Sequence, residues 1–321
     1  MSSRWSAESV DGLLPIYKPH GMISKDVSRW LTRRFGRLKL GHVGTLDPAA
    51  SGVLPILLGR ATRLQDYLLD LDKSYEFDMT LGFETDSLDL DGARIKEGPW
   101  HHVTPEALVA AGFEFVGEIE QIPPLFSAVK FRGKALYDYA RSGEGDEVPI
   151  EALKRRVRVH SLDFQRYASG VATFTVSCSK GTYIRTLMKD IAEKVGSCAT
   201  LTRLVRTEAA GVSLQQAMTL ESIEGHSGSL EELVIPISQV RVGIPRWRSG
   251  SPIIASRLRS GQDIVLDPNE YLNGVSQGEN GVLDEIARPT LLLDDKGQAF
   301  GIGTRLKNMT GQTVMQMKRG L

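Results

Sequence analysis

The sequence is short of everything that would mark a secreted, membrane or metal-dependent protein. Its 321 residues include two cysteines, Cys178 and Cys198, no C-x-x-C pair and six scattered histidines. That leaves neither a disulfide framework nor a zinc ligand set. The longest apolar run is Val53–Leu58, six residues that include Pro55, whereas a membrane-spanning helix needs about 20. Met1–Val10 is polar and Ser-rich, without the basic-then-apolar layout of a signal peptide. A cytoplasmic protein with reduced thiols is the simplest reading. No G-K-[ST] phosphate loop and no G-x-G-x-x-G occurs, so nothing points to a nucleotide or any other cofactor. Net charge is also lacking, with 39 Lys+Arg against 39 Asp+Glu.

What is present is an ordinary globular composition, 41% hydrophobic and 24% charged, which excludes a largely disordered chain. The length suggests two domains. The charge is balanced overall but segregated along the chain. Lys18–Arg63 holds nine basic residues against two acids, a surplus of seven, and Asp66–Asp91 holds nine acids against Lys73 alone. Further basic clusters lie at Lys130–Arg141 and Lys154–Arg158. Such a basic surface suits a polyanion, and equally a set of solvated helix faces.

Ser24 can N-cap a helix whose apolar residues Val27, Trp30, Leu31 and Phe35 recur at helical spacing, with Gly36 as its stop and Arg29, Arg33 and Arg37 on the other side. Val53–Leu58 reads as a buried strand and Ala61–Leu69 as a helix. Two alternating strands follow, Tyr75–Leu81 and Ala172–Cys178. The second ends at Ser179-Lys180-Gly181 and leads into a helix through Ile184, Leu187, Met188 and Ile191 that Gly196 closes. Val157 and Val159 mark another strand. Strands and helices mix without a βαβ beat, so the class is α+β. Beyond Pro245–Gly250 the short runs Ile253–Ala255, Ile264–Leu266, Thr290–Leu293, Ala299–Ile302 and Thr313–Met317 read as the strands of a small β-barrel. Asn273–Gly281 reads as a flexible insertion. The expected division is 1–247 and 248–321.

The phrase Gly41-His42-Val43-Gly44-Thr45-Leu46-Asp47-Pro48 places a carboxylate in a loop framed by glycine and proline. Loops held by rigid elements carry catalytic residues, although an Asx-turn is the commoner meaning of Asp-Pro. Four further phrases occur with it: Lys18-Pro19-His20-Gly21 with Ser24; Lys73-Ser74-Tyr75-Glu76 leading to Leu81-Gly82; Gln121-Ile122-Pro123-Pro124 with Ser127, Lys130, Gly133 and Tyr137; and Ser179-Lys180-Gly181-Thr182-Tyr183-Ile184-Arg185. In this order the five phrases resemble the bacterial tRNA pseudouridine synthase B (TruB) family over Lys18 to about Gly211, with Leu201, Arg203, Leu204, Arg206 and Thr207 extending the match. The C-terminal part is similar to that family's PUA domain by strand pattern alone.

The resemblance implies a mixed, largely antiparallel central sheet flanked by helices, the pseudouridine synthase fold, with a small all-β PUA-like barrel behind it. It implies isomerisation of uridine 55 in the tRNA T-loop, with the base flipped into a pocket, by a monomer that needs no metal or cofactor. Asp47 would be the nucleophile, since a free Asp is ionised at neutral pH; the residues leave open attack at C1′, attack at C6 or a glycal route. Arg185 would hold that carboxylate charged with its fork of donors. Tyr75 would stack on the base and help remove the C5 proton. His42 would fill the vacated stack or contact RNA, Lys18 and Pro19 would support the floor or meet a phosphate, and Leu204 would wall the pocket. Thr45, Leu46, Tyr183 and Lys130 complete the implied RNA-binding set, Lys130 lying in an RNA-clamping insertion near 121–150.

Three alternatives bear on these residues. Asp89-Leu90-Asp91-Gly92 imitates a phosphatase nucleophile loop, but the polar run Phe83–Ser87 before it argues for a surface turn; Thr85, Asp86 and Asp89 instead resemble a TruB loop beside the catalytic strand. A non-catalytic RNA-binding or RNA-folding protein would be expected to lose Asp47, Tyr75 or Arg185, and all three are present. An N-glycosidase using the same aspartate would release uracil.

Overall fold

The computed structural model describes residues 10–36, 38–266, 275–276 and 288–321. Its framework is a ten-stranded sheet. Across it run, in order, Ile235–Pro236, Gly12–Lys18, Ala50–Leu58, Ala199–Ala209, Lys73–Leu81, Val171–Cys178, Arg155–Ala168 and Gly117–Gln121, with Leu40–His42 and Val212–Ser213 attached at the side. Every pairing is antiparallel except that of Ala50–Leu58 with Ala199–Ala209. The three central strands therefore come from regions near 50, 75 and 205. The α+β class and the largely antiparallel sheet hold.

Alternation builds this sheet as the sequence leads one to expect. Phe77, Met79 and Leu81 and, on the neighbouring strand, Ala172, Phe174, Val176 and Cys178 are buried. Phe77 stacks on Phe174 with ring centroids 5.6 Å apart. Helix Ile184–Lys194 lays Ile184, Leu187, Met188 and Ile191 on that face, the i, i+3, i+4, i+7 stripe of an amphipathic helix. Ala50–Leu58 is buried along its whole length, in keeping with its unbroken apolar run. Helix Ser24–Phe35 ends at Gly36, whose φ of 85° suits glycine. Its basic face keeps Lys25, Arg29 and Arg33 exposed, while Arg37 lies outside the described residues.

Gly52 has a sharper role. Its φ is 107°, and a Cβ there would lie 2.2 Å from the Arg206 carbonyl oxygen and 2.7 Å from its nitrogen. Neither backbone atom can yield without breaking the parallel pair. Gly52→Ala is expected to cost about 2–4 kcal/mol of stability in urea melts.

The C-terminal unit is a six-stranded sheet in the order Ile264–Val265, Thr313–Gly320, Ala299–Lys307, Pro289–Leu293, Arg246–Arg248, Val275–Ser276, consistent with a PUA-like half-barrel. Leu291, Ile302 and Leu321 share a core with Leu13, Val53 and Leu57 of the large sheet, and Arg60 donates to the Leu321 carbonyl at 3.0 Å. Apart from Val275 and Ser276, the presumed insertion at 273–281 lies outside the described residues. Among the described residues, no helix is long and apolar enough to cross a membrane.

Two local readings are corrected. Ile253–Ala255 is not a strand but part of helix Pro252–Arg259, which Ser251 caps through the Ile253 amide and which has proline in its first turn. Ser24 does not cap its helix: Ile23 is the N-cap residue, and the Ser24 hydroxyl bonds Leu46 instead.

Candidate active site

Asp47 lies in the connection from Leu40–His42 to Ala50–Leu58. The connection is fastened from several sides. The Pro48 carbonyl accepts from the Gly21 amide at 2.8 Å, and the Ala50 amide closes back on the Asp47 carbonyl at 3.1 Å. Below it, the Lys18 ammonium donates to the carbonyls of Pro19 at 3.0 Å and Met22 at 2.6 Å. Lys18 is wholly buried, and burial lowers its pKa to about 8 despite the Asp47 charge. The ammonium is thus turned inward onto these two carbonyls.

Arg185 enters from the second residue of its helix. It is 6% exposed, and its Nη2 lies 2.9 Å from Asp47 Oδ2 across 138 residues of chain. The same guanidinium donates to the Ser87 and Phe126 carbonyls, each at 2.9 Å. Asp47 itself is 45% exposed, so one oxygen is held while the carboxylate stays open to the cleft. That cleft, about 110 Å3, is lined by His20, Asp47, Leu90, Arg185, Leu201 and Leu204 among others. It is small beside the several hundred Å3 of pockets that enclose a whole ligand, and suits one planar ring.

Tyr75 is half-buried on the central strand and, like Leu204, packs against the core cluster that contains Leu46; unlike Leu204 it does not line the Asp47 cleft. Burial raises its pKa above the usual phenol value, the nearby Asp47 charge adds to this, and the Arg206 guanidinium bonded to the hydroxyl opposes it. The phenol is thus protonated at neutral pH. Burial and the Arg206 charge lower the pKa of His42, which makes its ring neutral at pH 7; its Nε2 is 3.4 Å from the Thr45 hydroxyl.

The remaining sequence-derived residues scatter in role. Leu46 is buried and Thr45 exposed. The Tyr183 ring lies under the Arg155 guanidinium, 4.5 Å from its carbon to the ring centroid. Lys130 is exposed on the hairpin of Lys130–Phe131 and Lys134–Ala135, away from the Asp47 cleft lining. Among the described residues, no group of three or more His, Cys, Asp or Glu side chains is placed to hold a metal ion.

The family description "TruB family pseudouridylate synthase (N terminal domain)" matches residues 32–184. The tRNA pseudouridine synthase B of Alkaliphilus oremlandii (strain OhILAs) is 40% identical over 300 residues, 91% of this chain and 93% of that one. The chain belongs to the TruB family. A second member, the tRNA pseudouridine synthase B of Bacillus subtilis (strain 168), is 36% identical over 84% of this chain and 88% of its own. A chain in a crystal structure of a Cbf5-Nop10-Gar1 complex shares the fold at TM-score 0.70 and 22% identity, over 97% of this chain and 85% of that one.

Two residues of this TruB site escaped the sequence reading. Asp89 is not on a surface turn: it is 6% exposed, accepts from the Ser87 hydroxyl at 2.5 Å and lies 3.4 Å from Arg185 Nη1. Arg185 therefore bridges two carboxylates. Arg206 is 1% exposed and donates to the carbonyls of Val53 at 2.7 Å and Gly44 at 3.0 Å. It ties the Asp47 connection to the strand behind it and holds the Tyr75 hydroxyl. Asp89 could have been found through the resemblance of its loop; Arg206 gave no signal beyond lying in the matched run.

Proposed function

We propose that this chain isomerises uridine to pseudouridine at position 55 of the tRNA T-loop, with Asp47 as the nucleophile on a flipped-out base. The supporting observation is the 2.9 Å contact between Arg185 and Asp47 at the mouth of a ring-sized cleft. The guanidinium holds one carboxylate oxygen and aims the group, and the free carboxylate edge faces the space a base would enter. Extrusion of the base costs a few kcal/mol, and stacking on an aromatic ring returns about 1–3 kcal/mol; Tyr75 supplies that ring and Leu204 the apolar wall.

Exposed Lys25, Arg29 and Arg33 on the first helix, and Lys130 and Arg132 on the insertion, form a phosphate-binding surface for the T-arm. In this reading the insertion near 121–150 clamps the RNA and the PUA-like unit meets the acceptor stem. In this reading the catalyst is a cytoplasmic monomer that uses no metal or cofactor, with Asp47, Tyr75 and Arg185 of one chain making up its site. The test is an unmodified tRNA transcript incubated with the protein, digested to nucleosides and mapped. Pseudouridine at position 55 with unchanged RNA mass is expected, with binding that weakens steeply as salt rises. Released uracil would indicate a glycosidase, and binding without conversion a non-catalytic RNA-folding protein.

A further inference from the structure

The contact between Asp47 and Arg185 joins a connection between two strands to the first turn of a helix. Asp47 stands in that connection directly after Leu46. Arg185 is the second residue of its helix, whose N-cap residue Tyr183 supplies no side-chain cap and accepts the Leu187 amide at its carbonyl, 3.0 Å away. Each segment is pinned by a distant, buried side chain that uses a donor and an acceptor on the backbone of one residue. The Ser24 hydroxyl, 2% exposed, accepts from the Leu46 amide at 2.9 Å and donates to the Leu46 carbonyl at 3.1 Å. The Gln121 amide, 1% exposed, accepts from the Tyr183 amide at 2.9 Å and donates to the Tyr183 carbonyl at 3.2 Å. Leu46 immediately precedes Asp47, and Tyr183 lies two residues before Arg185.

We propose that Ser24 and Gln121 are positioning residues that set the approach of Asp47 to Arg185 from its two sides. A two-way bond to a single peptide residue restrains both sliding and rotation of that residue, which a single hydrogen bond does not. Sequence separations of 22 and 62 residues mean that neither bond closes a local turn. Near the Gln121 clamp, the Ile122 carbonyl accepts from the Thr186 hydroxyl at 3.2 Å and the Phe126 carbonyl from Arg185 itself, so the start of the insertion grips the helix at three successive points. A displacement of about 1 Å in a reacting group can cost about 100-fold in rate. The clamps therefore act on turnover and leave RNA binding to the exposed basic surface. This inference rests on the reading of Asp47 and Arg185 as the reacting pair.

The test is turnover on a T-arm stem-loop by Gln121→Met, which removes both bonds at nearly constant volume, and by Ser24→Ala, with Asp47→Asn alongside. Rates are taken well below each variant's melting temperature and expressed per folded enzyme. For both clamp variants kcat is expected to fall at least tenfold with KM within threefold of wild type. A merely structural side chain would lower the melting temperature and leave kcat per folded enzyme unchanged, and that result overturns the proposal. Should Gln121→Met fail to fold, Gln121→Asn decides. It keeps the amide but is one methylene shorter, so it cannot reach both backbone groups of Tyr183. It should also lower kcat per folded enzyme, whereas wild-type kcat would overturn the role. An inactive Asp47→Asn beside a fully active Gln121→Met would condemn the clamp alone; an active Asp47→Asn would condemn the reacting pair and the clamp with it.

Discussion

Replacing Arg185 by methionine is expected to slow single-turnover pseudouridine formation by about 1,000-fold and to destabilise the fold by about 3–5 kcal/mol. Both effects have one cause. The guanidinium meets Asp47, Asp89 and the carbonyls of Ser87 and Phe126, and methionine removes it from all four, leaving Asp89 only the neutral donors of the Ser87 hydroxyl and the Asp91 amide. Asp89 side-chain atoms are 9% exposed, so its carboxylate would stand charged and unpaired away from water, the costly half of a broken buried pair. Asp47 is more open and contributes less to stability, but its carboxylate would lose the hydrogen bond that aims it. Arg185→Lys separates the two effects. A lysine restores one positive charge without the planar fork, so stability should recover more than rate. Urea melts and single-turnover assays on the same preparations read both quantities.

The sequence shows some parts of this molecule and hides others for identifiable reasons. The large sheet is legible because Tyr75–Leu81 and Ala172–Cys178 alternate cleanly, and the helix bearing Arg185 because its apolar stripe is periodic. Asp47, Tyr75 and Arg185 are legible through short phrases; the structure brings Asp47 and Arg185 into contact and sets Tyr75 two strands away from the strand that follows Asp47. Ser24 was misjudged because a serine at the start of an amphipathic helix reads as a cap whichever way its hydroxyl turns. Here the hydroxyl turns toward Leu46, a residue that only tertiary structure brings near. The C-terminal helix was mistaken for a strand because the apolar triplet Ile253–Ala255 outweighed the Ser251-Pro252 start signal. Asp89 hid behind polar neighbours, since its burial depends on Arg185 arriving from almost a hundred residues downstream. Arg206 hid for a related reason: composition suggests an exposed arginine, and only the carbonyls of Gly44, Thr45 and Val53, all more than 150 residues upstream, make its burial tolerable.

The central claim is that one carboxylate performs the chemistry while other groups hold the RNA, and Asp47→Asn tests it most directly. Asparagine has the same shape and can still accept a hydrogen bond from Arg185, so the cleft and the basic surface remain. Only the negative charge and its nucleophilicity are lost. In a single-turnover assay on an unmodified tRNA transcript, the variant is expected to bind RNA within a few-fold of wild type and to form pseudouridine at least about 10,000-fold more slowly. Pseudouridine formation at the wild-type rate would contradict the account, because the attacking group would then lie elsewhere.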